Sequence, residues 1–400
     1  MANNEDRNMI KVGKRCCGCE ACVQACPSGA LLMRRNDEGF LYPFVDSGKC
    51  VHCGACENAC PLKHPQSPIR HRLHLFAVRI RERTILAESS SGGAFTGLAR
   101  DILAEGGVVF GAVWDARQQI VMHQRVEDER ALERIRGSKY VQSKIGNAYL
   151  EARTALNAGR KVLFSGTPCQ LAGLRAFLGK DYPNLISVDI VCHGVPSPSV
   201  LSAYLEEERA APVEEIRFRD KSVGWKNFSL TTKTSSKTVN RGSLSKNPYL
   251  LGFLSNLFLR PSCYACPANK LVSDITLADY WNVGAVFEDW DDDLGVSAVI
   301  VSSERGLDLL QRAGKRLDIR ETPLAPFFTA NRNVLMSSPR HPLRRRFMRK
   351  FAAGGIPLTR LISENLKWPT WATLIWKIKR HFRKRRMKRI VAALSGESGK

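Results

Sequence analysis

The 400-residue sequence has no apolar run of the roughly 18 residues that a membrane-spanning helix needs, which argues against an integral membrane protein. Its N-terminal stretch, MANNEDRNMIKVGKRCC, has no apolar segment of the kind found in a secretory signal. We therefore expect a cytoplasmic protein. Because the cytosol keeps thiols reduced, the 13 cysteines are not expected to form disulfides, and their spacing must indicate their role.

Acidic residues are scarce, with 38 Asp and Glu against 61 Lys and Arg, and the net charge is +23. Such a charge can indicate nucleic-acid binding, but its distribution argues against it. Residues 341–400 contain 17 Lys and Arg and 2 Asp and Glu, so they carry +15, and the preceding residues carry only +8. The basic character therefore belongs to the C-terminal tail.

Eight cysteines form two identical runs of the pattern C-x2-C-x2-C-x3-C-P. The first run is Cys16, Cys19, Cys22 and Cys26, and the second is Cys50, Cys53, Cys56 and Cys60. This spacing is that of bacterial ferredoxins with two [4Fe–4S] clusters, in which the fourth cysteine of each run ligates the other cluster. It lets one tight loop wrap three corners of a cube.

The pattern therefore predicts two ligand sets that exchange their fourth members. The first cluster would be held by Cys16, Cys19, Cys22 and Cys60, and the second by Cys50, Cys53, Cys56 and Cys26. The alternative is zinc, which is usually bound by two separated cysteine pairs, and that arrangement fits these compact runs less well. Cys17 is left over and is expected to be structural.

From about residue 73, apolar runs of strand length alternate with helical patterns, which predicts an α/β (mixed α+β) body with a largely parallel sheet. Strands are expected at 75–80, 108–114, 161–164 and 185–191, and helices at about 93–104, 146–158, 170–178 and 198–209. After residue 212 the pattern is β-rich, and FRDKSVGWKNFSL is typical of a hairpin. The polar, proline-containing segment 63–72 is interpreted as a linker.

Four more cysteines could hold a third cluster. Cys169 and Cys192 each follow a predicted strand, so parallel neighbouring strands would bring both thiols to one edge of the sheet. Cys263 and Cys266 would add a two-ligand clip. Two alternatives stay open: buried apolar cysteines beside a minor zinc clip, or Cys169 as a redox nucleophile beside a flavin, its thiolate favoured by a helix N-terminus.

The small residues of the segment 89–96, SSSGGAFT, open a predicted helix after a strand. Free backbone N–H groups and the helix dipole favour an anion there, so the segment is a candidate phosphate-binding turn. The alternative is an ordinary serine-rich cap of a helix.

Six short segments in fixed order, spanning roughly residues 73–330, together resemble the coenzyme F420 hydrogenase/dehydrogenase β-subunit family, with a ferredoxin module fused in front. They are SGGAFT (91–96), GSKYVQS (137–143), GTPCQ (166–170), CHG (192–194), CYAC (263–266) and DIT (274–276). Bacterial members associated with polysaccharide biosynthesis are also similar.

The resemblance implies one FAD per chain and a cluster in the body. The residues that would line the flavin are Ser91, Gly92, Gly93, Ala94, Thr96, Ser138, Lys139, Tyr140, Gln142, Thr167, Pro168 and Gln170. Lys139 would face the flavin phosphates or ring. The resulting division is a ferredoxin-type domain (1–66), a flavin-binding region (73–155), a region with the third cysteine set (156–335) and a basic helical tail (336–400).

The function implied is an iron–sulfur flavoprotein oxidoreductase that relays electrons between an external one-electron carrier, such as ferredoxin, and FAD. Hydride would pass to or from a small-molecule, sugar-linked or deazaflavin substrate. His193 could relay a proton or be structural. The pocket-border candidates Trp225, Lys226, Asp279 and Trp281 have core packing as their alternative. The rival functions are a non-catalytic electron-transfer subunit and an iron–sulfur sensor.

The tail has the pattern of a helix that lies on an anionic membrane surface. Its apolar face would be Trp371, Leu374, Ile375, Ile378 and Phe382, and its basic residues are Lys377, Lys379, Arg380, Arg383 and Lys384. RNA binding and a solvated helix docked on the body are the alternatives.

Overall fold

The computed structural model describes residues 12–64, 73–207, 211–266, 272–331, 334, 336–367 and 385. The predicted amphipathic face from Trp371 to Phe382 lies outside these residues. None of the helices in the described ranges is both long enough and apolar enough to cross a bilayer.

The N-terminal module contains two short helices and one hairpin. The helices are α1 (Ala21–Gln24) and α2 (Ala55–Asn58), and the antiparallel hairpin is β1 (Leu31–Arg35) with β2 (Leu41–Val45). Each helix follows a residue in the left-handed region, which is Gly54 with φ 74° in the second run but Glu20 with φ 59° in the first.

The Glu20 carboxylate explains why the first run has a side chain where the second run has glycine. Its oxygens accept hydrogen bonds from the backbone N–H groups of Ile145 (3.0 Å) and Gly146 (3.1 Å), which lie in the body. The carbonyl oxygen of the Gln24 side chain likewise accepts from the N–H of Tyr149 at 3.0 Å. The module is therefore docked on the body through groups of its first cysteine run.

The body has eleven strands within the ranges that the structure describes. They are β3 (His74–Ile80), β4 (Val108–Asp115), β5 (Ile120–Val126), β6 (Val162–Gly166), β7 (Leu185–Ile190), β8 (Glu215–Asp220), β9 (Ser229–Lys233), β10 (Thr238–Ser243), β11 (Ile275–Asp279), β12 (Ser297–Val301) and β13 (Leu317–Glu321). Eight form one sheet in the order β13-β3-β12-β11-β7-β6-β4-β5, and β10-β9-β8 form a separate antiparallel sheet.

Eleven helices accompany these strands in the described ranges. They are α3 (Arg83–Glu88), α4 (Ala94–Ala104), α5 (Glu129–Ile135), α6 (Ala148–Asn157), α7 (Pro168–Leu178), α8 (Pro198–Glu207), α9 (Pro248–Leu254), α10 (Glu304–Ala313), α11 (Leu324–Ala330), α12 (Arg344–Ala353) and α13 (Leu358–Leu366). The apolar stripes of α4, α5, α6, α7 and α10 cover the large sheet.

Both faces of the large sheet are buried because alternate strand residues point to opposite sides. On one face Val109 and Leu163 pack with apolar residues of α4, α5 and α10, and on the other Phe110 and Phe164 pack with those of α6 and α7. Phe110 and Phe164 stack with ring centroids 5.3 Å apart. Strands β4, β6 and β12 therefore have largely apolar sequences, as buried strands require.

The predicted mixed α/β class is confirmed, and so is a strand pair at the predicted hairpin, where β8 pairs with β9. The expectation of a largely parallel sheet is wrong in part. The pairs β4–β6, β6–β7 and β7–β11 are parallel, but β5, β12, β3 and β13 all join antiparallel. A tight turn after β4 returns the chain directly as β5, and no crossover helix is needed there.

The two predicted body regions share the large sheet. Strand β4 pairs with β6 across the expected boundary at residue 155, and α6 spans that position. Beyond the sheet, α12 and α13 pack into the apolar core that also contains Tyr249 and Phe258.

Candidate functional site

The four thiols predicted for the first cluster line one cavity that is partly open to solvent. Cys60, from the second run, joins Cys16, Cys19 and Cys22 there, as the exchange of fourth ligands requires. The other walls include Val12, Met33, Pro43 and Leu62. A donor set of four thiols around one cavity with apolar walls fits a [4Fe–4S] cluster.

The electrostatics of this set favour occupation by a positively charged iron core. Burial raises the pKa of the Cys22 thiol, and the neighbouring thiols of Cys16 and Cys60 raise it further. Burial also raises the pKa of Cys16, although Arg260 opposes that rise. Thiolates confined together in this way need a cationic partner to stay deprotonated.

The second predicted set lies closer to solvent. Burial raises the pKa of the Cys56 thiol, and Cys26 from the first run adds to the rise, so these two are neighbours. Cys53 is exposed, and Cys50 is half-buried. Of the two predicted cluster positions, the second is therefore the one nearer to solvent.

The four cysteines of the body come together from three segments. Cys169 is the second residue of α7, which follows β6, and Cys192 follows β7, the parallel neighbour of β6. Burial raises the pKa of Cys192 well above its ordinary value, and Cys263, Cys169 and Cys266 raise it further.

The clip residues, Cys263 and Cys266, lie close to the other cysteines of the body. Burial raises the pKa of Cys263 to about 12, with contributions from Cys169 and Cys266. The N–H of Val195 donates to the Cys263 sulfur at 3.5 Å. Across the described ranges, no three His, Cys, Asp or Glu side chains converge closely enough to hold a single metal ion. The donor set of the body, four neighbouring thiols, fits a [4Fe–4S] cluster.

Cys17 lies between the first set and the body set. Cys19 and Cys169 both shift the pKa of its thiol, so Cys17 lies close to one member of each set. Cys19 also packs on Gly173 of α7, where an added Cβ would lie 2.9 Å from the Cys19 sulfur. Because residues four apart share a face of a helix, one face of α7 presents both Cys169 and the seat for Cys19. Cys17, which belongs to none of the predicted ligand sets, therefore lies at the junction of the first set and the body set.

The candidate phosphate-binding turn is packed tightly against the sheet. A Cβ on Gly92 would overlap the Val78 carbonyl oxygen, and Gly93 has φ 77° immediately before α4. No side chain caps α4, and the Ser91 hydroxyl donates instead to the Val296 carbonyl at 2.7 Å. The serines are thus not an ordinary cap of this helix. Ala94 and Thr96, in its first turn, are buried.

Residues 138–142 connect this turn to the first cysteine set. The Ser138 N–H donates to the Ser90 hydroxyl at 2.7 Å, and the Gln142 amide donates to the Cys17 carbonyl at 3.1 Å. Between them, the Tyr140 ring lies 4.8 Å from that of Phe253 and 6.0 Å from that of Phe218. The predicted flavin segment therefore reaches both the turn and the cluster loop.

Lys139 does not point into this space. Its ammonium donates to the carbonyls at the end of α5, at 2.7 Å to Ile135, 2.8 Å to Arg136 and 3.0 Å to Gly137. These are carbonyl oxygens that a helix end leaves without internal partners. The arrangement gives Lys139 a helix-capping role, and its contact with a flavin stays a prediction.

Thr167 and Gln170 form a capping box at the start of α7, with Pro168 as its first residue. The Gln170 amide also donates to the Ser143 hydroxyl at 2.9 Å, and the Thr167 hydroxyl lies 3.2 Å from the Cys169 sulfur. These residues fix the orientation of the turn that carries Cys169. Their predicted contact with a flavin stays untested.

His193 is half-buried beside Cys192, and desolvation of its ring lowers its pKa. Its ring meets that of Phe253 edge-on at 5.0 Å, and its carbonyl accepts a hydrogen bond from Ser338. This packing is the structural alternative for the residue, and proton relay stays a prediction.

The pocket-border candidates form a layered group near the turn. Trp225 stacks on Trp281 at 4.6 Å, and Arg219 forms an ion pair with Asp279 at 2.6 Å while lying 5.6 Å from the Trp281 ring. The Lys221 ammonium donates to the Ser91 carbonyl at 3.1 Å. Lys226 is more exposed and pairs with an aspartate.

Three buried polar atoms of this group have no hydrogen-bond partner within the described part of the chain. They are Nε and Nη2 of Arg219 and Nε1 of Trp225. Buried donors are normally satisfied, so these atoms are suited to a polar ligand. Sequence reasoning had no signal for Arg219, because one arginine in a strand resembles any surface charge.

Comparison with known proteins identifies two regions. Residues 159–326 match the model for the C terminus of the coenzyme F420 hydrogenase/dehydrogenase beta subunit, and residues 15–63 match a 4Fe–4S dicluster domain. The resemblance inferred from the sequence is thereby confirmed in its body region and in its N-terminal module.

The curated relatives match short stretches of the chain. The chain is 43% identical over 53 residues to the B subunit of the anaerobic dimethyl sulfoxide reductase of Escherichia coli, covering 13% of this chain and 24% of that protein. It is 43% identical over 61 residues to the polyferredoxin-like subunit of an aliphatic sulfonate oxidoreductase of Pyrococcus furiosus, covering 15% and 34%. The chain thus spans about a third or less of these relatives.

Among solved structures, one protein of the F420-reducing [NiFe] hydrogenase complex from Methanosarcina barkeri is similar with a TM-score of 0.45 and 16% identity. The similarity covers 66% of this chain and 88% of that protein.

Proposed function

From a 4Fe–4S dicluster domain joined to the C-terminal region of coenzyme F420 hydrogenase/dehydrogenase β subunits, we propose that this chain is an iron–sulfur flavoprotein oxidoreductase. It would exchange electrons with an external one-electron carrier protein, such as ferredoxin, and hydride with a small molecule. The observation that carries the proposal is the junction at Cys17, where the first cysteine set meets the body set across α7.

Three cysteine sets would hold the clusters. The first is Cys16, Cys19, Cys22 and Cys60; the second is Cys50, Cys53, Cys56 and Cys26; the third is Cys169, Cys192, Cys263 and Cys266. When bound, [4Fe–4S] clusters supply one-electron transfer, and FAD supplies the conversion between single electrons and hydride.

The protein residues position these groups and exclude water from them. Gly173 lets Cys19 approach α7 closely, and Thr167 with Gln170 fixes the turn before Cys169. The apolar walls of the first cavity limit solvent access, which is one of the factors that set a cluster potential. The half-exposed second set would face the external carrier.

The flavin would bind where the turn at 91–93, Ser138 and Tyr140 meet. Support comes from the open N-terminus of α4 and from the unsatisfied donors of Arg219 and Trp225. Unused donors on an arginine beside stacked aromatic rings suit a ligand that combines hydrogen-bond acceptors with a flat ring system. The substrate would be a small molecule, a sugar-linked compound or a deazaflavin, and a role in polysaccharide biosynthesis belongs to the same proposal.

The second candidate is a non-catalytic subunit that passes electrons to a partner enzyme. It is favoured by the names of the relatives, each of which is one subunit of a reductase or an oxidoreductase. In either case we propose a cytoplasmic protein, with the basic tail as a contact to the inner face of the membrane.

The test is anaerobic purification of the full chain, followed by spectra and flavin extraction. We expect a broad brown absorption with flavin released on denaturation. An isolated enzyme should have its flavin bleached by substrate alone, whereas a transfer subunit should need its partner. Colourless protein, or protein that contains zinc in place of iron, contradicts both versions. Brown protein without extractable flavin contradicts only the flavin part.

The flavin site has its own variant test. Replacing Arg219 with Gln should lower the flavin content of the purified protein while iron stays constant. Replacing the exposed Arg217 with Gln, in the same strand, is the matched control and should leave flavin unchanged. Equal flavin in both variants would show that the flavin does not depend on this group.

A further inference from the structure

Arg260 is a fully buried arginine in the body at the joint with the N-terminal module. It follows the apolar segment after α9 and directly precedes the short 3₁₀-helix Pro261–Ala265, which carries Cys263. Its exposed fraction is 0%. No motif of the sequence singles it out.

The guanidinium bonds both parts of the molecule. Its Nε donates to the Cys16 carbonyl at 2.7 Å, and its Nη2 donates to the Leu41 carbonyl at 2.9 Å, both in the N-terminal module. Its Nη1 donates to the Gln142 side-chain oxygen at 2.9 Å in the body. It also lies 4.3 Å from the Tyr42 ring. Each of the three guanidinium nitrogens thus donates to an acceptor at the joint.

Every one of these hydrogen-bond acceptors is neutral. The charge of Arg260 acts to lower the pKa of Glu20, but the Glu20 carboxylate is bound by the N–H groups of Ile145 and Gly146. No carboxylate in the described ranges forms an ion pair with Arg260. A buried charge without a counter-charge is costly, so an anionic partner is expected nearby.

Arg344 is a buried arginine whose charge is neutralised by a carboxylate. It is also fully buried at the joint with the module, but it forms a two-fold ion pair with Glu38, at 2.9 Å and 2.6 Å. Its other acceptor is the Leu259 carbonyl at 3.0 Å. The two arginines are therefore matched in burial and in location, and they differ in whether a carboxylate neutralises them.

Arg260 lies beside ligand candidates of two cysteine sets. Its Nε donates to the carbonyl of Cys16 in the first set, and its own carbonyl accepts a hydrogen bond from the N–H of Cys263 in the body set at 3.0 Å. Clusters ligated by four thiolates carry net negative charge, and one electron adds one more negative unit without making or breaking a bond. They are anions of the kind that an unneutralised guanidinium requires.

We propose that Arg260 is the shared counter-charge of the first and the body clusters, and that it raises the reduction potentials of both while fixing the module to the body. This inference rests on the proposed function. A fixed positive charge stabilises the reduced form of a neighbouring cluster more than the oxidised form, because the reduced form is more negative.

The test is an anaerobic redox titration of the full chain, followed by electron paramagnetic resonance. In Arg260→Gln, the reduced-to-oxidised ratio of the two clusters should fall at least tenfold at a fixed potential, which is about 59 mV for a one-electron couple. Arg260→Lys keeps the charge and should stay near the wild type. The second cluster, held by Cys50, Cys53, Cys56 and Cys26, should not shift in any variant.

Gln142→Glu gives an independent test if Arg260→Gln does not fold. It places a carboxylate at the same acceptor position, neutralises the guanidinium and keeps its hydrogen bond, so the same fall is expected. Arg344→Gln is the matched control and should leave the potentials within a twofold ratio. The inference is overturned if both Arg260→Gln and Gln142→Glu have wild-type potentials. If Arg260→Gln does not fold, wild-type potentials in Gln142→Glu are enough to overturn it. Wild-type protein without iron overturns the proposed function instead.

Discussion

Asp189 is a buried carboxyl group near the end of β7, three residues before Cys192. Its exposed fraction is 1%, and one of its oxygens accepts a hydrogen bond from the Ser273 hydroxyl at 2.9 Å. Burial raises the pKa of Asp189 to about 7. The folded chain therefore holds a proton here at pH values where the unfolded chain has lost it.

The sign of the pH dependence follows from that raised pKa. The contribution of Asp189 to stability is complete below pH 3.8, the ordinary pKa, and is lost as pH rises towards about 7. Asn cannot ionise, so only the wild type should lose this stability as the pH rises. The difference in unfolding free energy between Asp189→Asn and the wild type should therefore shift in favour of the variant by roughly 2 kcal/mol from pH 5.5 to pH 8. The measurement is the difference in unfolding temperature between the variant and the wild type at both pH values.

Asp274 is the control for this prediction. It is also buried, but Arg305 at 2.6 Å and Ser187 lower its pKa despite burial. Asp274→Asn should therefore be less stable than the wild type at pH 8. A variant-to-wild-type difference for Asp189→Asn that is the same at both pH values contradicts the assignment.

At the scale of single residues, spacing predicted the cysteine sets because ligation of a compact cluster requires a short, fixed loop. It could not predict Lys139, whose ammonium binds carbonyls that become available only when α5 ends beside it. It also could not predict Arg260, because its three acceptors come from residues 16, 41 and 142.

Helix α7 is the element that joins the module to the body. Gly173 faces the module, and a Cβ there would lie 2.8 Å from the Cys19 Cβ and 3.1 Å from the Tyr149 hydroxyl. The contact with Cys19 is closer than real Cβ contacts, and the contact with Tyr149 is tighter than most, so the neighbours would have to shift. Helix propensity alone would favour alanine at this position.

Gly173→Ala should therefore destabilise the joint by about 1–3 kcal/mol, in spite of the better helix propensity. The expected result is a lower unfolding temperature and partial loss of iron from the first set under anaerobic conditions. Ala176→Ser, on a half-buried position of the same helix, is the control and should change neither. A more stable Gly173→Ala protein with full iron would show that Cys19 does not pack on α7 as described.

At the scale of elements, the strands and helices from β3 to α8 were largely predictable because their apolar periods are clear. Strand β5 was missed, since half of its IVMHQRV sequence is polar and its partner β4 lies just before it. The antiparallel additions of β12 and β13 were also missed, because pairing across more than 200 residues leaves no local signal.

For the molecule as a whole, the basic tail is a sequence-based prediction. Residues 368–384 and 386–400 lie outside the described ranges, and α13 ends at Leu366. Removing residues 368–400 should abolish binding to vesicles that contain anionic lipids and should leave iron content intact, because the described core ends before them. Sedimentation with vesicles measures this, and neutral vesicles are the control. Full-length protein that never binds anionic vesicles contradicts the membrane role.

The three cysteine sets connect the two ends of the electron route that we propose. The half-exposed second set lies in the N-terminal module, the first set borders α7, and the third lies at the edge of the large sheet. Cys17 and Arg260 lie where the first and third sets meet. The order of the sets was predictable only in part, because the sequence does not show which module face meets the body.

The most direct measurement is the iron and acid-labile sulfide content of the anaerobically purified full chain. Three [4Fe–4S] clusters predict about twelve irons in the wild type, about eight in Cys192→Ser and about twelve in Cys17→Ser, since Cys17 is no ligand. About eight irons in both the wild type and Cys192→Ser, or zinc in place of iron, would contradict the account.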